Sequence, residues 1–152
     1  MAPIVSVDMS DDLRRASIHI YNRWAYGLCL DRYNGIGRAT IILPNGKRLP
    51  SVWDEISADP PRDIEACLSF IPAGETLSRS WAIDYEFKKI PRPPFSICYE
   101  VSWETLNAGG DRGQSVACSS VRRLPDGKLK VTPKPTRSEQ YMAATQSWVD
   151  GR

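Results

Sequence analysis

The sequence is poor in the residues that most metal and catalytic sites require. It contains one histidine, His19, and none of its four cysteines belongs to a CxxC pair. A structural zinc site usually needs closely spaced ligand pairs, and a Ser–His or Cys–His catalytic site would have to use His19. His19 alternates with Ile18 and Ile20, so we interpret it as an exposed residue of a strand. We therefore predict no metal and no cofactor.

Motifs for other kinds of catalysis are missing or lie in the wrong context. No G-x-S-x-G is present, and acidic pairs such as Asp84 and Glu86 alternate with apolar residues, as on the solvated face of a sheet. The glycine-rich segment 107–113 (NAGGDRG) lacks the Lys-Ser/Thr pair of a phosphate-binding loop. We predict that the protein is not an enzyme and has no catalytic residues.

Long apolar runs and a strong net charge are also missing. No run of about 18 apolar residues occurs, so we predict no membrane span. The formal net charge of +2 is too small to indicate a nucleic-acid partner. Residues 1–15 (MAPIVSVDMSDDLRR) lack the basic and apolar regions of a signal peptide. We expect either a cytosolic protein or an exported protein whose signal peptide has been removed.

The sequence is rich in short segments in which apolar and polar residues alternate. Turn signals such as Pro44-Asn45-Gly46 and Pro125-Asp126-Gly127 separate them. The cleanest alternation has Trp81, Ile83, Tyr85 and Phe87 on one face and predicts a strand. At 152 residues, of which 41% are hydrophobic, the chain has the length of one domain. We predict an all-β fold, an antiparallel β-sandwich of about seven to nine strands, over residues 1–133.

The C-terminal segment has a different pattern. Thr136 and Glu139 have the spacing of a helix capping box. Tyr141, Thr145 and Trp148 would then share one helical face. Since isolated helices this short are marginal in water, we predict that residues 134–152 form a short helix or a flexible tail.

Four motifs between residues 16 and 104 resemble a known family. They are Ile20-Tyr21-Asn22, Gly46-Lys47-Arg48-Leu49-Pro50, Phe70-Ile71-Pro72-Ala73-Gly74-Glu75-Thr76 and Tyr99-Glu100-Val101. The chain resembles the bacterial immunoglobulin-like sandwiches of the intracellular proteinase inhibitor type, although Ala73 separates Pro72 from Gly74, which the family pattern joins. The resemblance implies an immunoglobulin-like fold. It does not imply inhibitor activity, because fold does not determine function.

The four cysteines are predicted to form two disulfides. Cys29, Cys67 and Cys98 are out of phase with their apolar neighbours, whereas buried free thiols should be in phase. Four cysteines allow three pairings. The immunoglobulin-like resemblance implies Cys29–Cys67 in one sheet and Cys98–Cys118 in the other. Disulfides would indicate a periplasmic or secreted protein, and free thiols a cytoplasmic one.

Two groups of residues are candidates for a binding surface. Tryptophans and an arginine lie at strand ends beside polar residues, which is typical of interfaces. Between residues 121 and 137, six basic residues accompany a single acidic one, which would attract an acidic partner or protect an edge strand from aggregation. The candidate binding residues are Arg23, Trp24, Tyr26, Trp53, Arg122, Arg123, Lys128 and Lys130.

By elimination, we predict a non-enzymatic protein-binding module. The favoured role is an exported inhibitor or immunity protein that blocks a hydrolase or toxin with loops that reach into a cleft. One alternative is carbohydrate binding through Trp24, Tyr26 and Trp53. Another is a structural component of a surface assembly. No nucleic-acid partner is predicted.

Overall fold

The computed structural model describes residues 2–30, 38–51, 69–106 and 110–141. Within them, eleven strands account for nearly all of the regular structure, with one short 3-10 helix at Ile83–Tyr85. The strands are β1 Ile4–Met9, β2 Arg15–Tyr21, β3 Leu28–Leu30, β4 Arg38–Ile42, β5 Arg48–Pro50, β6 Ser69–Ile71, β7 Thr76–Ala82, β8 Phe95–Thr105, β9 Arg112–Arg123, β10 Leu129–Pro133 and β11 Arg137–Tyr141.

The strands form two antiparallel sheets. The small sheet has the order β1-β2-β7, and the large sheet has the order β10-β9-β8-β3-β6. The large sheet is widened by β11, which pairs with β9, and by β4, which pairs with both β8 and β5. This division matches the A, B, E and C, F, G strands of an immunoglobulin sandwich. The predicted antiparallel β-sandwich is confirmed, with eleven described strands instead of seven to nine.

The core lies between the two sheets and follows the period of two in the sequence. Because successive side chains of a strand point to opposite faces, every second residue of β2 and β8 faces inward. The inward residues of these two strands are Ala16, Ile18, Ile20, Phe95, Ile97, Tyr99, Val101, Trp103 and Thr105, and all are buried. Each large apolar side chain that is fully buried stabilises the fold by about 1.5–3 kcal/mol.

The predicted strand through Trp81 and Phe87 is interrupted. β7 ends at Ala82, and Ile83–Tyr85 forms a 3-10 turn in which the Ile83 carbonyl accepts hydrogen bonds from the N–H groups of Glu86 and Phe87. Ile83 and Phe87 are buried, whereas Tyr85 is 72% exposed. Apolar residues four positions apart can be buried by one helical turn as well as by a strand. A short alternating pattern therefore does not distinguish a helical turn from a strand.

The segment that follows β10 is a strand, not the start of a helix. Arg137–Tyr141 pairs with β9, so the sandwich continues past the predicted boundary at residue 133. Thr136, the predicted helix cap, instead bonds to β1: its Oγ1 accepts from the Val5 N–H at 3.1 Å and donates to the Val5 carbonyl at 2.7 Å. Residues 142–152 of the predicted helix or tail lie outside the described residues.

The Cys98–Cys118 disulfide is confirmed. The two cysteines lie directly opposite each other in β8 and β9, with an S–S distance of 2.05 Å. Cys29 lies in β3 of the same sheet, which corrects the prediction that the two disulfides belong to different sheets. Its predicted partner, Cys67, lies outside the described residues. Within the described part of the chain no cysteine is free.

Removal of the Cys98–Cys118 disulfide should destabilise the sandwich. The disulfide links residues 20 positions apart, and closing a loop of that length corresponds to about 3 kcal/mol of unfolding free energy. We expect the double variant Cys98→Ala, Cys118→Ala to lose about this much in guanidinium denaturation. The control is Ser96→Ala, Ser120→Ala, the next directly opposed pair on the same face. Equal stability of wild type and the cysteine variant would contradict the prediction.

Candidate binding surfaces

The predicted aromatic group lies on the loop between β2 and β3, with its members in different environments. Tyr26 is 49% exposed. Arg23 is also exposed, and its Nε–H donates to the carbonyl of Ala2. Trp24 is only half-buried but packs onto the core, where its ring centroid lies 6.1 Å from that of Trp103. Trp24 therefore fixes the loop to the core. Of the predicted group, Arg23 and Tyr26 are the described members whose side chains are exposed. Trp53 lies outside the described residues.

A fully buried amide, Asn22, holds this loop in place. Its Nδ2 group donates to the carbonyls of Tyr26 at 2.8 Å, Ile71 at 3.0 Å and Pro72 at 3.2 Å. Its Oδ1 accepts from the Trp24 N–H at 2.9 Å. One side chain thus satisfies several backbone groups that would otherwise be buried without partners.

The backbone of Asn22 joins the same loop to the turn between β6 and β7. The Asn22 N–H donates to the Glu75 carbonyl, and the Asn22 carbonyl accepts from the Gly74 N–H, both at 2.9 Å. Gly74 has a φ of +74°, a conformation that glycine adopts without the penalty other residues incur. The turn predicted from Pro72-Ala73-Gly74 and the β2–β3 loop therefore form one hydrogen-bonded unit.

Three large apolar side chains are exposed around Gly27, next to this unit. They belong to Tyr26, Phe70 and Leu106, which are 49%, 49% and 43% exposed. The Phe70 ring lies so close to Gly27 that a Cβ atom there would be 2.4 Å from Phe70 Cε2. Leu106 donates its N–H to the Gly27 carbonyl at 2.9 Å. We call Tyr26, Phe70 and Leu106 the end surface, because it lies where β3 begins and β8 ends.

The sequence pointed to Tyr26 but not to Phe70 or Leu106. In β6 the neighbours Ser69 and Ile71 are buried and Phe70 points outward. Phe70 and Ile71 are both large and apolar, so the sequence alone does not determine which of the two side chains faces the core. Leu106 follows β8 directly, and only the hydrogen bond to Gly27 places it beside the other two.

The four predicted basic residues lie on one hairpin, formed by β9 and β10. Arg122 and Lys130 are directly opposite each other and both are exposed. Arg123 donates from Nη1 to the Gly127 carbonyl at 2.6 Å, across the turn. The N–H of Lys128 donates to Asp126 Oδ1 at 3.0 Å. Four of the six basic residues between 121 and 137 therefore lie on one hairpin of the large sheet.

The outer face of the small sheet carries the single histidine. His19 is exposed, as predicted, and its Nδ1 lies 2.7 Å from the Oγ of the exposed Ser78 on β7. Within the described residues, no three His, Cys, Asp or Glu side chains lie close enough together to hold a metal ion. The described part of the chain also contains no helix long and apolar enough to cross a membrane.

Comparison of the chain with protein-family models, curated proteins and solved structures finds no match.

Loss of the Asn22 side chain should destabilise the fold. Asn22→Ala leaves the Tyr26, Ile71 and Pro72 carbonyls and the Trp24 N–H without their partner. We expect a loss of at least ~2 kcal/mol in the free energy of unfolding, measured by urea denaturation, since each buried group left unpaired costs about 1–3 kcal/mol.

The matched control is Asn45→Ala. Asn45 is exposed in the β4–β5 turn, and among the described residues its Oδ1 accepts one hydrogen bond, from the Lys47 N–H at 2.9 Å. Its replacement should cost less than ~1 kcal/mol. Equal losses for the two variants would show that the buried amide has no special role.

Proposed function

We propose that the protein is a non-enzymatic protein-binding module that acts in an oxidising compartment as an inhibitor or immunity protein. Its partner is a hydrolase or a toxin, and the contact is made by the end surface. The observation that carries the proposal is the grouping of Tyr26, Phe70 and Leu106, each more than 40% exposed, around Gly27. Large apolar side chains exposed together on a soluble domain are typical of interaction sites.

The chemistry of the end surface suits a protein partner. Aromatic residues and arginine dominate the binding energy of protein interfaces when they are buried in pockets of the partner. Tyr26 and Phe70 would supply the aromatic contacts, and the exposed Arg23 lies close by in the same loop. Because loops at one end of a sandwich project beyond the sheets, they can enter a cleft in an enzyme.

The end surface is also held in shape before binding. Asn22 fixes the β2–β3 loop through its side chain and the β6–β7 turn through its backbone. A surface that is already ordered loses less conformational entropy on association, so more of its contact energy appears as affinity.

The Cys98–Cys118 disulfide supports the proposed compartment. Structural disulfides persist in the periplasm and outside the cell, and they are rare in a reducing cytosol. We therefore propose that the protein is exported.

Carbohydrate binding receives less support. The proposed platform of Trp24, Tyr26 and Trp53 needs exposed rings, but Trp24 packs against Trp103 in the core. Among the described members of that platform, this leaves Tyr26 as the exposed ring.

The test is a pull-down from the envelope and secreted fractions of the source organism, followed by affinity measurement with the captured protein. Wild type should retain one hydrolase or toxin in stoichiometric amount. The variant Tyr26→Ala, Phe70→Ala, Leu106→Ala should bind this protein at least ~30-fold more weakly, because interface hot spots contribute about 2 kcal/mol or more each.

The matched control is Tyr85→Ala. Tyr85 is 72% exposed and lies in the 3-10 turn after β7, away from the end surface. This variant should bind as wild type does. Tyr85→Ala should unfold at the wild-type denaturant concentration, since its side chain is largely exposed. The side chains replaced in the triple variant are about half exposed, so its binding is compared with wild type under conditions in which its circular dichroism spectrum shows it to be folded. Full binding by the triple variant would rule out the end surface as the contact site.

A further inference from the structure

A groove lies on the outer face of the large sheet, away from the end surface. Its volume is about 660 Å³, and it lies between the β4–β5 hairpin and the connection from β10 to β11. The Cys98–Cys118 disulfide and Val116 form part of its floor. Eight residues of chain separate Cys98 from Leu106, or about 26 Å at about 3.3 Å per residue. The groove is therefore a separate surface.

Three basic side chains line the groove from its two sides. Arg48 comes from β5, whereas Lys134 and Arg137 come from the β10–β11 connection and β11. All three are exposed, and within the described residues the structure shows no ion pair for any of them. The three side chains place positive charge at the two sides of the groove.

The basic hairpin extends this charge along the same face of the sheet. Cys118 and Arg122 are an even number of residues apart on β9, so their side chains point to the same side. Arg122 lies directly opposite Lys130. Lys130 lies in β10, and Lys134 directly follows this strand. These two lysines are also four positions apart, so their side chains point to the same side as well. We call the residues Arg48, Arg122, Lys130, Lys134 and Arg137 the basic track.

We propose that the groove and the basic track bind an extended acidic segment of a polypeptide. Charge complementarity is the first reason, since five cations lie along one face. The floor is the second reason, because the disulfide and Val116 offer apolar contact to the side chains of a peptide.

The two carboxylates in the groove distinguish a polypeptide from a uniformly anionic polymer. Glu100 and Glu139 both line the groove. They would repel a chain that carries a negative charge at every unit, such as a nucleic acid, since like charges close together are unfavourable. A polypeptide can place N–H groups or a neutral residue there and its own carboxylates beside the arginines and lysines.

The test is fluorescence anisotropy with a fluorescein-labelled peptide of alternating glutamate and serine, at low ionic strength. Wild type should bind it, and a lysine–serine peptide should not bind. Arg48→Gln, Lys134→Gln and Arg137→Gln should each weaken binding about threefold, as expected for exposed ion pairs. The triple variant should bind more than ~10-fold less tightly. Added salt should weaken the wild-type complex.

Two controls fix the location of the site. Lys89→Gln removes one charge from an exposed lysine that does not line the groove, and it should leave affinity unchanged. The end-surface variant Tyr26→Ala, Phe70→Ala, Leu106→Ala should also bind the peptide as wild type does. The groove can therefore be confirmed even if the proposed partner of the end surface is never found.

Three results would overturn the proposal. The first is no measurable binding of the acidic peptide at low ionic strength. The second is unchanged binding by the triple charge variant. The third is tighter binding of a labelled single-stranded DNA oligonucleotide that the same three substitutions weaken, because the basic track would then be a nucleic-acid site.

Discussion

The buried amide of Asn22 is the interaction on which the end of the sandwich depends. The chain passes from the small sheet to the large one after β2, and it returns from the large sheet to the small one after β6. Asn22 bonds to both crossings, through its side chain to Tyr26, Ile71 and Pro72 and through its backbone to Gly74. An apolar residue of similar size could not satisfy these buried backbone groups. The crossings are thus fixed relative to each other by one residue.

The sandwich carries two chemically different surfaces. The end surface is apolar and lies beside the loop that Asn22 holds, so its shape is set before any partner arrives. The basic track lies on the outer face of the large sheet, where the Cys98–Cys118 disulfide forms part of the groove floor and joins the two central strands. An apolar contact provides affinity, whereas exposed charge mainly accelerates and orients association.

The alternation of apolar and polar residues correctly indicates the buried positions of the central strands. It does not predict the structure of the strands at the edges of the large sheet. Every second residue of β2 and β8 is buried, in step with the alternation of apolar and polar residues in the sequence. The capping box at Thr136 was a local signal, but pairing of Arg137–Tyr141 with β9 overrode it, since tertiary contacts outweigh helix propensity. Phe70 and Ile71 are both large and apolar, but in β6 the Phe70 side chain points outward and the Ile71 side chain is buried. The role of Asn22 depends on carbonyls about 50 residues away, which no local pattern contains.

Native-state hydrogen exchange of the purified protein tests most directly whether Asn22 preorganises the end surface. The amides to follow are those of Trp24 and Gly74, which bond to Asn22, and that of Leu106, which bonds to Gly27. We expect them to exchange as slowly as the core amide of Ile18, only through global unfolding. If they instead exchange at the rate of freely exposed amides while Ile18 stays protected, the end surface is not held in shape and its proposed role in binding loses its physical basis.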